Sequence, residues 1–157
     1  MDKINVLINE ATLQNRIDEI ARDIMKDYPD KELTFICILK GSVFFTVELA
    51  KRIKNNVALE FIRVASYGEN VVSSGKVDLL IELEEELEGK DVIVIEDIID
   101  TGHTLSYILK YLESRNPKSL KLCTLLDKVE RREVPVKVDY VGFEIPNRFV
   151  VRIWFGC

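Results

Sequence analysis

Apolar and polar positions along this chain alternate between two periods. Leu13, Ile17, Ile20, Ala21, Ile24 and Met25 recur at the spacing of one helical face, with Arg16, Asp18, Glu19, Arg22 and Asp23 largely on the other. Pro29-Asp30 then breaks the pattern. Residues 34–39 (TFICIL) form a short apolar run rich in β-formers and predict a buried strand. Lys40-Gly41-Ser42 follows, and 43–51 is helical again. A strand over 59–65 leads into Ser66-Tyr67-Gly68-Glu69-Asn70, and the polar, glycine-bearing stretch up to Gly75 predicts a mobile loop. A strand resumes over 77–83.

Glu82, Glu84, Glu85, Glu86 and Glu88 then read as a solvated connecting face. Gly89-Lys90-Asp91 turns into Val92-Ile93-Val94-Ile95, the clearest central strand in the chain. Leu105, Ile108, Leu109 and Leu112 mark the helix after it, ended by Asn116-Pro117. Strands over 120–126 and 140–144 complete the series. Apolar strands alternating with amphipathic helices, without two-residue hairpins, predict an α/β fold around a mostly parallel central sheet flanked by helices. No internal repeat or linker divides the chain, so 1–157 reads as a single domain.

Composition narrows the class. The chain has 157 residues, 47% hydrophobic and 31% charged, with a net charge of −5, enough apolar content for a core and too little basic excess for a general nucleic-acid binder. No apolar run approaches a membrane span, and the first residues lack the basic flank and apolar stretch of a signal peptide. Cys37, Cys123 and Cys157 are widely spaced without a CxxC, and His103 is the single histidine. Neither a disulfide framework nor a zinc site is expected, and a cytoplasmic protein fits.

The candidate chemistry sits in VIVIEDIIDTGHTL, residues 92–105. A buried strand is read as ending in Glu96-Asp97, followed by Asp100 and then Thr101-Gly102-His103-Thr104 at a helix start. Ligands of open α/β sheets bind at the carboxyl ends of strands, and helix-start N–H groups attract anions. Gly102 would let a phosphate approach the backbone, with Thr101 and Thr104 adding hydroxyls. Carboxylates beside such a cradle make sense if the ligand also offers hydroxyls, a cation or a proton. A phosphorylated sugar with Mg²⁺ offers all three. GxxxxGK[ST] and GxGxxG are both absent, so a P-loop or a dinucleotide fold is not supported.

These residues resemble the diphosphoribosyl-binding signature of type I phosphoribosyltransferases. The likeness extends to ILKGS at 38–42, ASYG at 65–68, CTLLDK at 123–128, RRE at 131–133 and VGFEIPNRFVV at 141–151, the pattern of the hypoxanthine-guanine branch. The resemblance implies a small hood formed by the terminal segments, beside the central sheet. It also implies Mg-dependent transfer of phosphoribosyl from 5-phosphoribosyl-1-diphosphate to N9 of hypoxanthine or guanine, giving IMP or GMP plus diphosphate. A xanthine-preferring transferase and a non-catalytic phosphoribosyl-binding regulator are the alternatives.

Carried over by position, Asp100 matches the acid beside purine N7 and is the catalytic candidate. Asp100, Thr101, Gly102, His103 and Thr104 match the 5′-phosphate cradle, with the His103 backbone counting for more than its ring. Glu96 and Asp97 match the pair that holds the ribose hydroxyls, any contact with metal being indirect or weak. Lys40-Gly41 matches the diphosphate loop, often built with a cis peptide before the lysine. Ser66-Tyr67 matches the loop that closes over the site. Lys128 matches the donor to purine O6, Phe149 the aromatic stacked on the base, and Val150 the backbone contact at its edge. A homodimer or homotetramer is implied as well.

The likeness stops after Val151. Relatives continue Gly-Tyr-Gly-Leu-Asp into a tail that carries a metal-binding aspartate and an arginine near the diphosphate, whereas this chain reads Arg152-Ile153-Trp154-Phe155-Gly156-Cys157. One extra C before GGA TAT GGT TTG GAT yields Arg-Ile-Trp-Phe-Gly, so a frameshifted or truncated end is the expectation, with a natural short variant or an engineered end as the alternatives; gene sequencing tests it. Loss of one such electrostatic contact commonly costs about 10²–10³ in rate, so impaired turnover is expected of a chain without that tail.

Overall fold

The computed structural model describes residues 4–65, 79–147 and 149–153, with 4–7 and 149–153 described through their backbone alone. In chain order the elements are β1 (Ile4–Ile8), α1 (Glu10–Asp27), β2 (Leu33–Ile38), α2 (Val43–Arg52), β3 (Val57–Val64), β4 (Leu79–Ile81), β5 (Asp91–Ile99), α3 (His103–Glu113), β6 (Ser119–Asp127), a 3₁₀ turn (Val129–Arg131), β7 (Tyr140–Glu144) and β8 (Phe149–Ile153). The Asn9 side chain caps α1 by accepting the Thr12 N–H at 2.8 Å, while Leu13, Ile17, Ile20, Ala21 and Ile24 are buried.

Six strands form one sheet in the order β4-β3-β2-β5-β6-β7, parallel throughout except for β4, which runs antiparallel to β3. Strand β2 is buried along its whole length, as expected where helices cover both faces. On one face Phe35, Ile93, Ile95, Cys123 and Leu125 pack with Leu13, Ile17, Phe45 and Leu49 from α1 and α2. On the other, Ile36, Ile38, Ile62, Val92, Val94 and Leu122 pack with Leu105, Ile108 and Leu112 of α3. The period-2 alternation of the strands thus feeds two separate cores. Among the described residues no helix is long and apolar enough to cross a membrane.

β7 joins the sheet edge through an unusually close approach. A Cβ at Gly142 would lie 2.4 Å from the Leu125 carbonyl oxygen, so no side chain fits there. Arg16 of α1 holds the same strand, its guanidinium donating to the Val141 carbonyl at 2.6 Å and to the Gly142 carbonyl at 2.9 Å.

The structure corrects several predicted bounds. β5 does not end at Glu96-Asp97 but runs to Ile99, because β6 stays paired beside it through Glu96↔Thr124, Ile98↔Leu126 and Ile99↔Asp127. Glu96 and Asp97 therefore lie inside the strand rather than at its end. β3 begins two residues before the predicted position 59, and β4 covers three residues of the predicted 77–83, of which 77 and 78 lie outside the described residues. β1 and β8, not read as strands from the sequence, form a separate two-stranded parallel sheet that pairs Ile4 with Phe149 and Ile8 with Ile153. This is the hood of terminal segments.

Candidate active site

The chain leaves β2 toward β3 on one side and leaves β5 toward β6 on the other, so the direction of winding reverses between β2 and β5. Open α/β sheets bind ligands at that crevice, outside the carboxyl ends of the strands. Lys40-Gly41 follows β2, Asp100 to Thr104 follow β5, and Lys128 follows β6, so all three predicted groups share this edge.

Two contacts tie these turns together. A Cβ at Gly41 would lie 3.7 Å from both Cβ and Oδ2 of Asp97, so the Lys40-Gly41 turn lies directly against Asp97 across the crevice. The Lys128 N–H donates to the Ile99 carbonyl at 3.0 Å, placing Lys128 beside the residue that precedes Asp100. The Leu39–Lys40 peptide is cis, as the resemblance implied.

Gly102 shapes the start of α3. Its φ of +93° is a conformation that L side chains rarely adopt, and a Cβ there would lie 2.8 Å from the Val134 carbonyl oxygen. The turn thereby opens into the helix with its leading N–H groups free of intrahelical carbonyl partners, the arrangement that attracts anions. Asp100 is exposed and accepts from Arg131 Nε at 2.8 Å, while the Asp100 carbonyl accepts from the Arg132 guanidinium at 2.6 Å. His103 is turned from the turn's backbone toward Glu133, its Nε2 3.3 Å from Oε1 of that residue.

Glu96 and Asp97 have unusual electrostatics. Burial pushes the Glu96 carboxyl up to about 8, against the favourable Asp97 N–H bond to its Oε1 at 2.8 Å, with the Asp97 charge adding to the rise. Burial also raises the Asp97 carboxyl above its ordinary value. At neutral pH Glu96 is therefore largely protonated and can donate to as well as accept from a hydroxyl. Consecutive residues of a strand point to opposite faces, so the two carboxyls do not form a joint cation cage. Among the described residues no three His, Cys, Asp or Glu side chains could hold a metal ion together.

Ser66 and Tyr67 lie outside the described residues. The backbone of Phe149 and Val150 is placed in β8, opposite Ile4 and Asn5 of the hood sheet. Sequence reasoning gave no role to Arg131, Arg132 and Glu133, although RRE stood out as a motif; its contacts with Asp100 and Thr101 bridge about thirty residues of chain and have no local signature. A polar depression of about 520 Å³ at the opposite edge, lined by Lys31, Asn56, Lys90 and Lys118, contains none of these groups.

A parallel sheet with a glycine-bearing turn, flanking carboxyls and a lysine turn across the switch point defines a phosphoribosyltransferase domain, and the model of the phosphoribosyl transferase domain matches residues 6–154. The hypoxanthine-guanine phosphoribosyltransferase of Bacillus subtilis is 42% identical over 146 residues, covering 93% of this chain and 81% of that protein. The hypoxanthine phosphoribosyltransferase of Buchnera aphidicola is 43% identical over 150 residues, covering 94% and 85%. A crystal structure of a Bacillus anthracis hypoxanthine-guanine phosphoribosyltransferase, with a HEPES molecule in its active site, superposes with a TM-score of 0.86 at 44% identity, over 94% of this chain and 87% of that one. The chain belongs to the hypoxanthine-guanine phosphoribosyltransferase family.

Proposed function

We propose that this protein transfers the phosphoribosyl group of 5-phosphoribosyl-1-diphosphate to N9 of hypoxanthine or guanine in purine salvage. The observation that carries the reading is the convergence of the Asp100–Thr104 turn, the Lys40-Gly41 turn and Lys128 on one crevice at the switch point. In the reaction the C1′–O bond to diphosphate breaks as N9 bonds to C1′. Diphosphate leaves with the bonding electron pair, and the purine gives up a proton.

Each group has a matching task. The N–H groups around Gly102 and the hydroxyls of Thr101 and Thr104 receive the 5′-phosphate. Glu96 and Asp97 hold the ribose hydroxyls, and the Asp97 carboxyl beside the Lys40-Gly41 turn favours positive charge developing on the sugar. Lys40-Gly41 faces the diphosphate. Asp100 takes the purine proton near N7. Lys128 donates to O6, which selects 6-oxopurines over adenine. Phe149 stacks on the base and Val150 contacts its edge.

Mg²⁺ keeps several waters and is commonly held by one or two carboxylates together with substrate phosphates. The Asp97 carboxyl, on the Lys40-Gly41 side of β5, fits that substrate-borne mode, and any contact of Glu96 with the ion is indirect. Mg²⁺ held there would offset the charge of the diphosphate. A homodimer or homotetramer is supported by exposed apolar side chains on α2 and β3, Phe44, Val47, Leu59 and Phe61. Buried free thiols at Cys37 and Cys123 suit a reducing cytoplasm.

Calorimetric titration with 5-phosphoribosyl-1-diphosphate, IMP and GMP tests the reading, alongside rates with hypoxanthine, guanine and xanthine. Saturable binding of donor and nucleotides is expected. Absence of both kinds of binding refutes the function; binding without turnover of any base, even when the Gly-Tyr-Gly-Leu-Asp tail of the relatives is restored after Val151, identifies a regulator, and fastest turnover of xanthine reassigns the substrate.

A further inference from the structure

We propose that Arg132, anchored on the buried carboxylate of Asp127, is a positioning residue that aims the Asp100–Gly102 backbone at the 5′-phosphate. The inference rests on reading residues 101–104 as the phosphate cradle. Asp127 ends β6 at only 4% exposure, and one arm of the Arg132 guanidinium pairs with its carboxylate. The other arm reaches across to the neighbouring strand end and donates to the Asp100 carbonyl at 2.6 Å. A single rigid, planar fork therefore links the ends of β5 and β6.

The next peptide unit is held from the same side. The Thr101 carbonyl accepts the N–H groups of Glu133 at 2.9 Å and Val134 at 3.2 Å. In a trans peptide the carbonyl and the N–H point in opposite directions. Drawing the Asp100 and Thr101 carbonyls onto the 131–134 segment consequently turns the N–H groups of Thr101 and Gly102 the other way. The segment also packs against Gly102 itself: a Cβ there would lie 3.0 Å from Arg132 Cδ as well as 2.8 Å from the Val134 carbonyl oxygen. Thus the RRE segment supplies the backing that makes an ordinary strand-to-helix turn into a directed row of donors. An arginine used only for stability would need its carboxylate partner, not the second arm on a backbone carbonyl of the cradle.

Arg132→Lys and Arg132→Met test this, each checked for a cooperative melt. A lysine can still neutralise Asp127 but cannot span both acceptors, so it decides the matter should the methionine variant fail to fold. Without ligand, amide hydrogen exchange at Glu133 and Val134 is expected to quicken at least about tenfold in the lysine variant relative to the parent. IMP binding is expected to weaken at least tenfold, equivalent to about 1.4 kcal/mol, while inorganic diphosphate, which lacks the sugar phosphate, changes less than twofold. Unchanged exchange and unchanged IMP affinity overturn the proposal, and so does an equal loss for both ligands. If the parent chain itself binds no IMP, the functional reading falls, whereas a parent that binds and variants that bind equally well refute only the role of Arg132.

Discussion

Replacing Glu96 by glutamine isolates the energetic cost of keeping a carboxyl inside β5. The side chain keeps an oxygen to accept the Asp97 N–H, seen at 2.8 Å, but can no longer ionise. Burial raises the Glu96 carboxyl from 4.5 to about 8, so between those values the folded protein holds a proton that the unfolded chain has released. Stability changes with pH according to the protons bound by the unfolded minus the folded state, and here that difference is negative. The parent therefore loses stability as pH rises through this window, by up to about 1.4 kcal/mol per pH unit, and the contribution levels off above about pH 8. The full displacement corresponds to about 5 kcal/mol, which local relaxation and water entry reduce to about 2–4 kcal/mol. Urea denaturation from pH 5 to 9 should show Glu96→Gln gaining on the parent by that amount between pH 5 and pH 8. A difference that stays flat across this range, or grows toward low pH, refutes the account of Glu96 as a partly buried, largely protonated acid.

Three further outcomes follow from the geometry. Gly102→Ala places a methyl at φ +93° and 2.8 Å from a backbone oxygen, so chemical denaturation should show a loss of about 2–4 kcal/mol, and IMP affinity should fall with it. Gly142→Ala drives a Cβ to 2.4 Å from the Leu125 carbonyl and should cost about 2–3 kcal/mol, read as a lower Tm, with hydrogen exchange quickening first in β7. Lys128→Met should raise KM for hypoxanthine at least about tenfold while leaving KM for 5-phosphoribosyl-1-diphosphate within about twofold, because one charged hydrogen bond to the base is worth about 1.5–3 kcal/mol.

What could be read in advance tracks how local the determinant is. The alternation of Phe35 with Ile36 and of Ile93 with Val94 announces strands covered on both faces, and Leu105, Ile108 and Leu112 announce the helix packed behind them. Glu96, Asp97, Asp100 and Gly102 are legible because their meaning depends on order along one segment. The continuation of β5 past Asp97 is not, since Ile98 and Ile99 are kept in the strand by pairing with β6, a fact of the partner rather than of the segment. The same holds for Arg132, whose two acceptors come from different strand ends, and for Gly142, whose requirement is set by Leu125. Leu7, Val150 and Val151 read as ordinary apolar positions until β1 and β8 are brought side by side.

The pairing of Ile4 with Phe149 has a consequence for biosynthesis. A ribosome releases β1 first, yet its complement in the hood follows well over a hundred residues later, after every strand of the six-stranded sheet has emerged. Closing so long a loop is entropically slow, so the catalytic sheet can assemble while the amino-terminal strand still waits. A released chain truncated before β8 should accordingly display a protected interior while residues 4–8 are readily trimmed by proteases.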